Sequence, residues 1–180
     1  NTAPSSSIYK VSGSDLEGAA LTYALSGGAD KSLFTIDATT GDVRFLTAPD
    51  YENPADANRD RIYQIEVAVS NGVFTTKKTV AITLQDIDEA PTIISPTTSS
   101  VAENVSPLTT VYRVAGVDPE GRSLAYAISG GPDKDLFAID AANGNVTFKT
   151  APDFEARADA DANNIYQIEV QVSDGALITK

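Results

Sequence analysis

The sequence predicts an all-β chain of two tandem immunoglobulin-like antiparallel β-sandwich domains. Three observations carry this: a long internal repeat, period-two hydrophobicity, and turn signals between short apolar runs. Val11-Ser12-Gly13-Ser14-Asp15-Leu16-Glu17-Gly18 returns as Val114-Ala115-Gly116-Val117-Asp118-Pro119-Glu120-Gly121. Ser26-Gly27-Gly28-Ala29-Asp30-Lys31 returns as Ser129-Gly130-Gly131-Pro132-Asp133-Lys134, and Ile62 to Val67 returns unchanged as Ile165 to Val170. The offset is about 103 residues throughout and needs no gap. A period of that length means whole domains in an array, not solenoid turns. The expected domains are residues 1–90 and 91–180. Asn1 aligns with Asn104 and Lys180 with Lys77, so the first copy is expected to lack its first strand and the second its last.

Each element has a local reason. Short strands are expected at Tyr9–Gly13, Leu21–Leu25, Phe34–Ile36 and Val43–Phe45, with equivalents in the second copy. A single helical turn is expected around Asp30–Leu33 and Asp133–Leu136. Tyr63, Ile65, Val67 and Val69 alternate with Gln64, Glu66 and Ala68, the signature of a half-buried strand. Tyr166, Ile168, Val170 and Val172 repeat it. Asn71-Gly72 and Asp174-Gly175 then mark a hairpin, and a type I′ turn favours Asn or Asp before Gly. The return strand of the first copy is expected to bury Val80, Ile82 and Leu84. About seven short strands per ~100 residues suit an immunoglobulin-like sandwich.

Composition narrows the function. The net charge is −12, with 25 acidic against 13 basic residues. Such a field repels nucleic acid and anionic membrane surfaces and attracts cations. There is no cysteine and no histidine, so disulfides and thiolate or imidazole metal sites are excluded. The same absence removes the usual bases and nucleophiles, and the chain is not expected to be an enzyme. No apolar run approaches the ~20 residues of a membrane helix.

The acids recur with the repeat. The second copy carries Glu103, Asp118 with Glu120, Asp153 with Glu155, and Asp174. The first carries Asp15 with Glu17 and Asp50 with Glu52, but has Asn71 where the second has Asp174. Between them runs Asp86-Ile87-Asp88-Glu89-Ala90-Pro91. Calcium takes six to eight oxygen ligands, mostly carboxylates and carbonyls, and paired acids at loop ends are a source of them. Asp174 has two readings, metal ligand or hairpin residue. Asp56-Ala57-Asn58-Arg59-Asp60-Arg61 and Asp159-Ala160-Asp161-Ala162-Asn163-Asn164 lack the Gly and terminal Glu of an EF-hand, and are expected to be solvated loops.

At this point the residues resemble a family. Val101-Ala102-Glu103-Asn104 looks like the opening Glu motif of cadherin repeats, and Asp118-Pro119-Glu120 is similar to their Asp-x-Asp. Phe137-Ala138-Ile139-Asp140 through Asn143-Gly144-Asn145-Val146 resembles their core motif. Asp153-Phe154-Glu155 is similar to their Asp-Arg-Glu, and Asp86 to Pro91 to their acidic linker. The nearest likeness is to cadherin-like repeats of large bacterial surface adhesins. The resemblance implies linker calcium held by Asp50, Glu52, Asp86, Asp88, Glu89, Asp118, Glu120 and Asp174. Glu103, Asp153 and Glu155 are further metal candidates. The linker is one residue shorter than the animal pattern. The outer end of each copy is expected to be the weaker one.

The resemblance further implies a cell-surface location and a rod or spacer role, with neighbouring repeats of the same chain as the first partners. Homophilic contacts or glycan and protein ligands are also implied. Two alternatives remain at the level of sequence. One is a carbohydrate- or protein-binding module using Tyr9, Tyr23, Tyr112 or Tyr126 as an aromatic platform, although those strand positions suit a core better. The other is a filament subunit assembled by strand addition.

Overall fold

The structure, a computed structural model, describes residues 5–180. The chain forms two compact units, Asn1–Ile87 and Asp88–Lys180. The division falls inside the acidic segment, slightly before the 90/91 boundary that the repeat suggests. Asp86 goes with unit 1, and Asp88 and Glu89 with unit 2.

Unit 1 contains strands β1 (Tyr9–Lys10), β2 (Thr22–Gly27), β3 (Phe34–Ile36), β4 (Asp42–Phe45), β5 (Ile62–Ser70) and β6 (Thr75–Thr83). They form two antiparallel sheets, ordered β1-β4-β3 and β2-β5-β6. Both sheets contribute to one core: Phe34, Val43 and Phe45 from the first, with Val11 just after β1, and Tyr63, Ile65, Val67 and Val80 from the second. Phe34 and Phe45 lie 4.5 Å apart, and Tyr63 meets both rings edge-on at 5.8 and 5.1 Å. Edge-to-face contact aligns ring edges with the electron-rich faces, adding to the burial of the largest apolar groups. Tyr9 and Tyr23 pack against this core, and Tyr112 and Tyr126 against the other, so none of the four forms an open aromatic platform.

Unit 2 repeats the plan with β7 (Thr92–Ile93), β8 (Tyr112–Arg113), β9 (Gly116–Val117), β10 (Ala125–Gly130), β11 (Phe137–Ile139), β12 (Asn145–Phe148), β13 (Glu169–Ser173) and β14 (Ile178–Thr179). Its sheets run β8-β12-β11 and β10-β13-β14, and β7 pairs with β9. Val114, Phe137, Val146, Phe148 and Val172 form its core. A single 3-10 turn precedes β3 at Lys31–Leu33 and β11 at Lys134–Leu136, where the sequence predicts one helical turn.

Identical residues behave differently in the two units. Ile62 to Val67 lie within the nine-residue β5, and Tyr63, Ile65 and Val67 are buried. In Ile165 to Val170 only Glu169 and Val170 are ladder-paired, and Tyr166, Ile168 and Val170 are half-buried. The reason is the partner. β6 pairs with β5 along its whole length and brings Val80 into the core. β14 pairs with β13 only at Val172↔Thr179 and Ser173↔Ile178. Backbone groups take up strand geometry where a neighbour accepts their hydrogen bonds.

The hairpins differ from the two-residue turn that the sequence suggests. β5 and β6 are joined by residues 71–74, closing at Ser70↔Thr75. Asn71 Oδ1 accepts hydrogen bonds from the amides of Val73 and Phe74 at 3.0 and 2.8 Å. Only Gly72 takes a positive φ, at 90°. A type I′ turn needs positive φ at both central residues, and the Asn side chain supplies an alternative closure at lower cost. Asp174 Oδ1 does the same for Ala176 and Leu177 in unit 2.

The loops at Asp56 and Asp159 are exposed over residues 57–60 and 160–163, as the sequence suggests, but their first acids are not. Asp56 is 3% exposed and Asp159 5% exposed. The Asp56 carboxylate accepts the amides of Asp60 and Arg61, which requires left-handed backbone at Arg59 (φ 58°) and Arg61 (φ 66°). Asp159 accepts the amides of Asn163 and Asn164 in the same way. The carboxylate is the hub of the turn, spent on backbone donors. Asp56→Ala is expected to destabilise unit 1 by about 1–3 kcal/mol, since two inward N–H groups lose their acceptor. Thermal melting checks this, at roughly 4–8 °C per kcal/mol for a unit of this size.

Candidate metal centre

The strand register sorts the acids by position. β2 begins where β5 ends, at Thr22↔Ser70, so the loop from Asp15 and the hairpin at Asn71 share one end of unit 1. β5 begins where β6 ends, at Ile62↔Thr83, so Asp50, Glu52 and Asp86 share the other. Unit 2 follows the same plan. Asp118, Glu120 and Asp174 share the end marked by Ala125↔Ser173. Glu103, Asp153 and Glu155 lie at the opposite end, beyond Phe137↔Phe148.

Asp88 and Glu89 join the first of these ends because the following residues are anchored to unit 2. Pro91 is fully buried, and its carbonyl accepts the Thr179 hydroxyl. β7 then pairs with β9 at Thr92↔Val117. The Glu89 amide donates to Glu120 Oε1 at 3.2 Å, and carboxylate oxygens of Glu89 and Glu120 lie within 4.8 Å of each other.

Comparing the two units at this end isolates what is unusual. In unit 1, Asp15 Oδ1 accepts the amides of Glu17 and Ala19 at 3.0 and 2.9 Å. Asp15 Oδ2 accepts a hydrogen bond from Asn71 Nδ2 at 2.9 Å. Every oxygen has a donor, and the Ala19 amide together with Asn71 holds the Asp15 pKa below the usual carboxylate range. In unit 2 the Asn becomes Asp174, which has no N–H to give. Asp118 is 6% exposed; its Oδ1 accepts the Arg122 amide at 2.8 Å, and its Oδ2 has no hydrogen-bond partner. The Asp174 side chain is 0% exposed, and its Oδ2 also has no hydrogen-bond partner. Glu120 Oε2 is in the same condition. A buried carboxylate oxygen without a donor or a cation is costly.

Two of these acids, Asp174 and Glu120, have lowered pKa values. Backbone amides of Leu177 and Ala176 keep the Asp174 pKa low, with Arg122 adding to them. For Glu120, burial opposes the charge, but hydrogen bonds with Glu89 and the nearby Arg122 outweigh it, and its pKa is lowered. Asp88, Glu89, Asp118, Glu120 and Asp174 gather hard carboxylate oxygens at one end of unit 2, the donor chemistry that suits calcium.

The remaining candidates are more open. Glu52 and Asp86 of unit 1 bring carboxylate oxygens within 4.8 Å of each other. Asp50 is exposed, and its Oδ1 accepts the amides of Glu52 and Asn53 at 3.0 Å each. Glu103, Asp153 and Glu155 also converge within 4.8 Å, all exposed. The Glu103 charge raises the Glu155 pKa, as expected for like charges in contact. Two groups escaped the sequence reading. Asp30 and Asp133 are 3% exposed and are consumed by backbone amides, Ala57 and Gln64 for Asp30, Ala160 and Gln167 for Asp133. Arg122 stands inside the acidic end, pairing with Asp88 at 2.6 Å. Its signal was present in the repeat, where the aligned residue is Ala19.

Fold and site together define a tandem β-sandwich repeat with a carboxylate-lined end. Comparison with known proteins agrees and sharpens the class. No family model matches the chain. Human Protocadherin Fat 4 is 30% identical over 159 residues, covering 86% of this chain and 3% of that protein. Human Cadherin-23 is 29% identical over 181 residues, covering 97% of this chain and 5% of that protein. The chain thus spans a small fraction of the curated relatives it matches. Among solved structures, human Protocadherin-24 EC1-2 aligns with a TM-score of 0.59 at 22% identity, covering 96% of this chain and 81% of that one. Drosophila N-cadherin EC1-4 aligns with a TM-score of 0.63 at 20% identity, covering 93% and 39%. In sequence the chain is similar to pairs of repeats within these cadherins, and it shares the immunoglobulin-like β-sandwich fold of their extracellular domains. No helix among the described residues is long and apolar enough to cross a membrane.

Proposed function

We propose that Asp88, Glu89, Asp118, Glu120 and Asp174 hold calcium, and that the chain is a calcium-stiffened spacer in a cell-surface adhesin. One observation carries this reading. Where unit 1 satisfies Asp15 with the Asn71 amide, unit 2 places Asp174 and leaves buried oxygens of Asp118 and Asp174 without a donor. A divalent cation supplies what Asn71 supplies in unit 1. Asp50, Glu52 and Asp86 enter as further ligands through the sequence resemblance, and Glu103, Asp153 and Glu155 as a weaker group. The bacterial setting rests on the Ala151-Pro152-Asp153-Phe154-Glu155 style of motif. Adhesion follows from the likeness to cadherins, whose arrays of tandem repeats this chain matches.

Extracellular calcium modules bind at ~10⁻⁴–10⁻³ M, so calcium outside cells fills such sites and cytosolic calcium does not. With free calcium about tenfold above Kd, one site stabilises the native state by about 1.4 kcal/mol. Melting in calcium is therefore expected several degrees above melting in chelator, with a more extended particle in small-angle scattering. Identical melting curves and scattering profiles in the two conditions would remove the calcium reading.

A further inference from the structure

Building on the calcium reading of that end of unit 2, we infer that Arg122 is an internal counter-ion that competes with the metal for Asp88 and Asp174. Its guanidinium Nη1 lies 2.6 Å from Asp88 Oδ1 and 3.9 Å from Asp174 Oδ2. The first contact is a close ion pair, although Asp88 Oδ1 has no partner with hydrogen-bond geometry. The second is attraction without a hydrogen bond, so Asp174 is neutralised only in part. Asp88 holds the Arg122 proton more firmly than usual, with Asp174 and Glu120 adding to the effect. These oxygens are the ones a calcium ion needs. A guanidinium and a divalent cation cannot both sit against them, because each repels the other at such distances.

The arginine has room to leave. Its side chain is 42% exposed, whereas Asp174 is 0% exposed. Rotation into solvent costs it the ion pairs with Asp88 and Asp174 and leaves its charge hydrated. The two units support the pairing of roles. Position 19 of unit 1, aligned with Arg122, is Ala, and position 71, aligned with Asp174, is Asn. The arginine is present in the unit whose carboxylates lack the amide donor, and absent from the unit that has it. Arg122 thus lowers calcium affinity while limiting repulsion among the acids when calcium is scarce.

The test uses the whole chain and two variants, R122A and R122K. Ala19 shows that the fold accommodates alanine at the aligned position. Calcium titration by calorimetry is expected to show R122A binding about two- to fivefold tighter than the parent, the scale of a partly exposed ion pair. Melting in chelator is expected to fall for R122A, and R122K is expected between the two, because the ammonium keeps the charge and loses the fork. Equal or weaker calcium binding by R122A, with the parent binding normally, overturns the competition and leaves the calcium reading standing. No calcium heat from either protein overturns both. An unchanged chelated melting temperature overturns the counter-ion role even if the affinity rises.

Discussion

Asp174→Asn is expected to weaken calcium binding on the order of tenfold or more, and to raise the melting temperature of unit 2 in chelator. The two effects have one cause. Asp174 Oδ1 closes the hairpin through the amides of Ala176 and Leu177, and an asparagine oxygen does this equally well, as Asn71 shows for Val73 and Phe74. The substitution therefore spares the turn. What changes is the other arm. A carboxylate oxygen becomes an N–H donor at the position from which Asn71 donates to Asp15 Oδ2 at 2.9 Å. Asp118 Oδ2 gains the partner it lacks, and the metal loses a charged ligand. Calorimetry reads the first effect and melting in chelator the second. The reciprocal Asn71→Asp is expected to destabilise unit 1, for the same reason reversed. A D174N chain that binds calcium as well as the parent would contradict the ligand role.

Gly28→Ala is expected to cost about 4 kcal/mol or more, enough to unfold unit 1 near physiological temperature. Gly28 follows a bulge in the β2–β5 ladder between Leu25 and Gly27, and takes φ +102°. A side chain there is strained in any surroundings. The surroundings are also closed: an added Cβ overlaps the Gln64 carbonyl oxygen and the Ile65 Cα, both backbone atoms of β5. No rotamer relieves a clash with main chain. Ile65 is 0% exposed at the centre of the core, so β5 cannot withdraw without opening the sandwich. Gly131 repeats the geometry against Gln167 and Ile168, so Gly131→Ala is expected to do the same in unit 2. Circular dichroism melting of each variant separates the two units. The control is Gly72→Ala, where φ is also positive but no atom lies within 4 Å; a smaller loss is expected there.

Much of this was readable before any coordinates. Alternation from Tyr63 to Val69 needs only the geometry of extended chain, where successive side chains face opposite ways. The repeat marked the two domains, and Asn71 against Asp174 as the one change in the acidic set. The buried roles of Asp30 and Asp56 were not readable. A carboxylate that caps a loop and one that binds metal look alike in sequence, because the difference lies in which backbone amides the fold brings to it. Arg122 was legible only in outline: the alignment shows an arginine opposite Ala19, but not that its guanidinium meets Asp88.

The division has a physical basis. Local rules, such as period-two burial, glycine at positive φ and acids beside turns, act over a few residues and repeat wherever those residues repeat. They determined the sandwich, the tandem copies and the list of candidate ligands. Which oxygens are left without donors depends on groups far apart in the chain: Asp118 and Asp174 are brought to one end by the β10–β13 pairing, and Asp88 by the burial of Pro91. Tertiary structure also decided that identical segments differ, since Ile62 to Val67 have β6 beside them and Ile165 to Val170 meet only the short β14. Hydrogen-bond satisfaction and burial are properties of pairs, and the pairs form only when the chain folds back on itself.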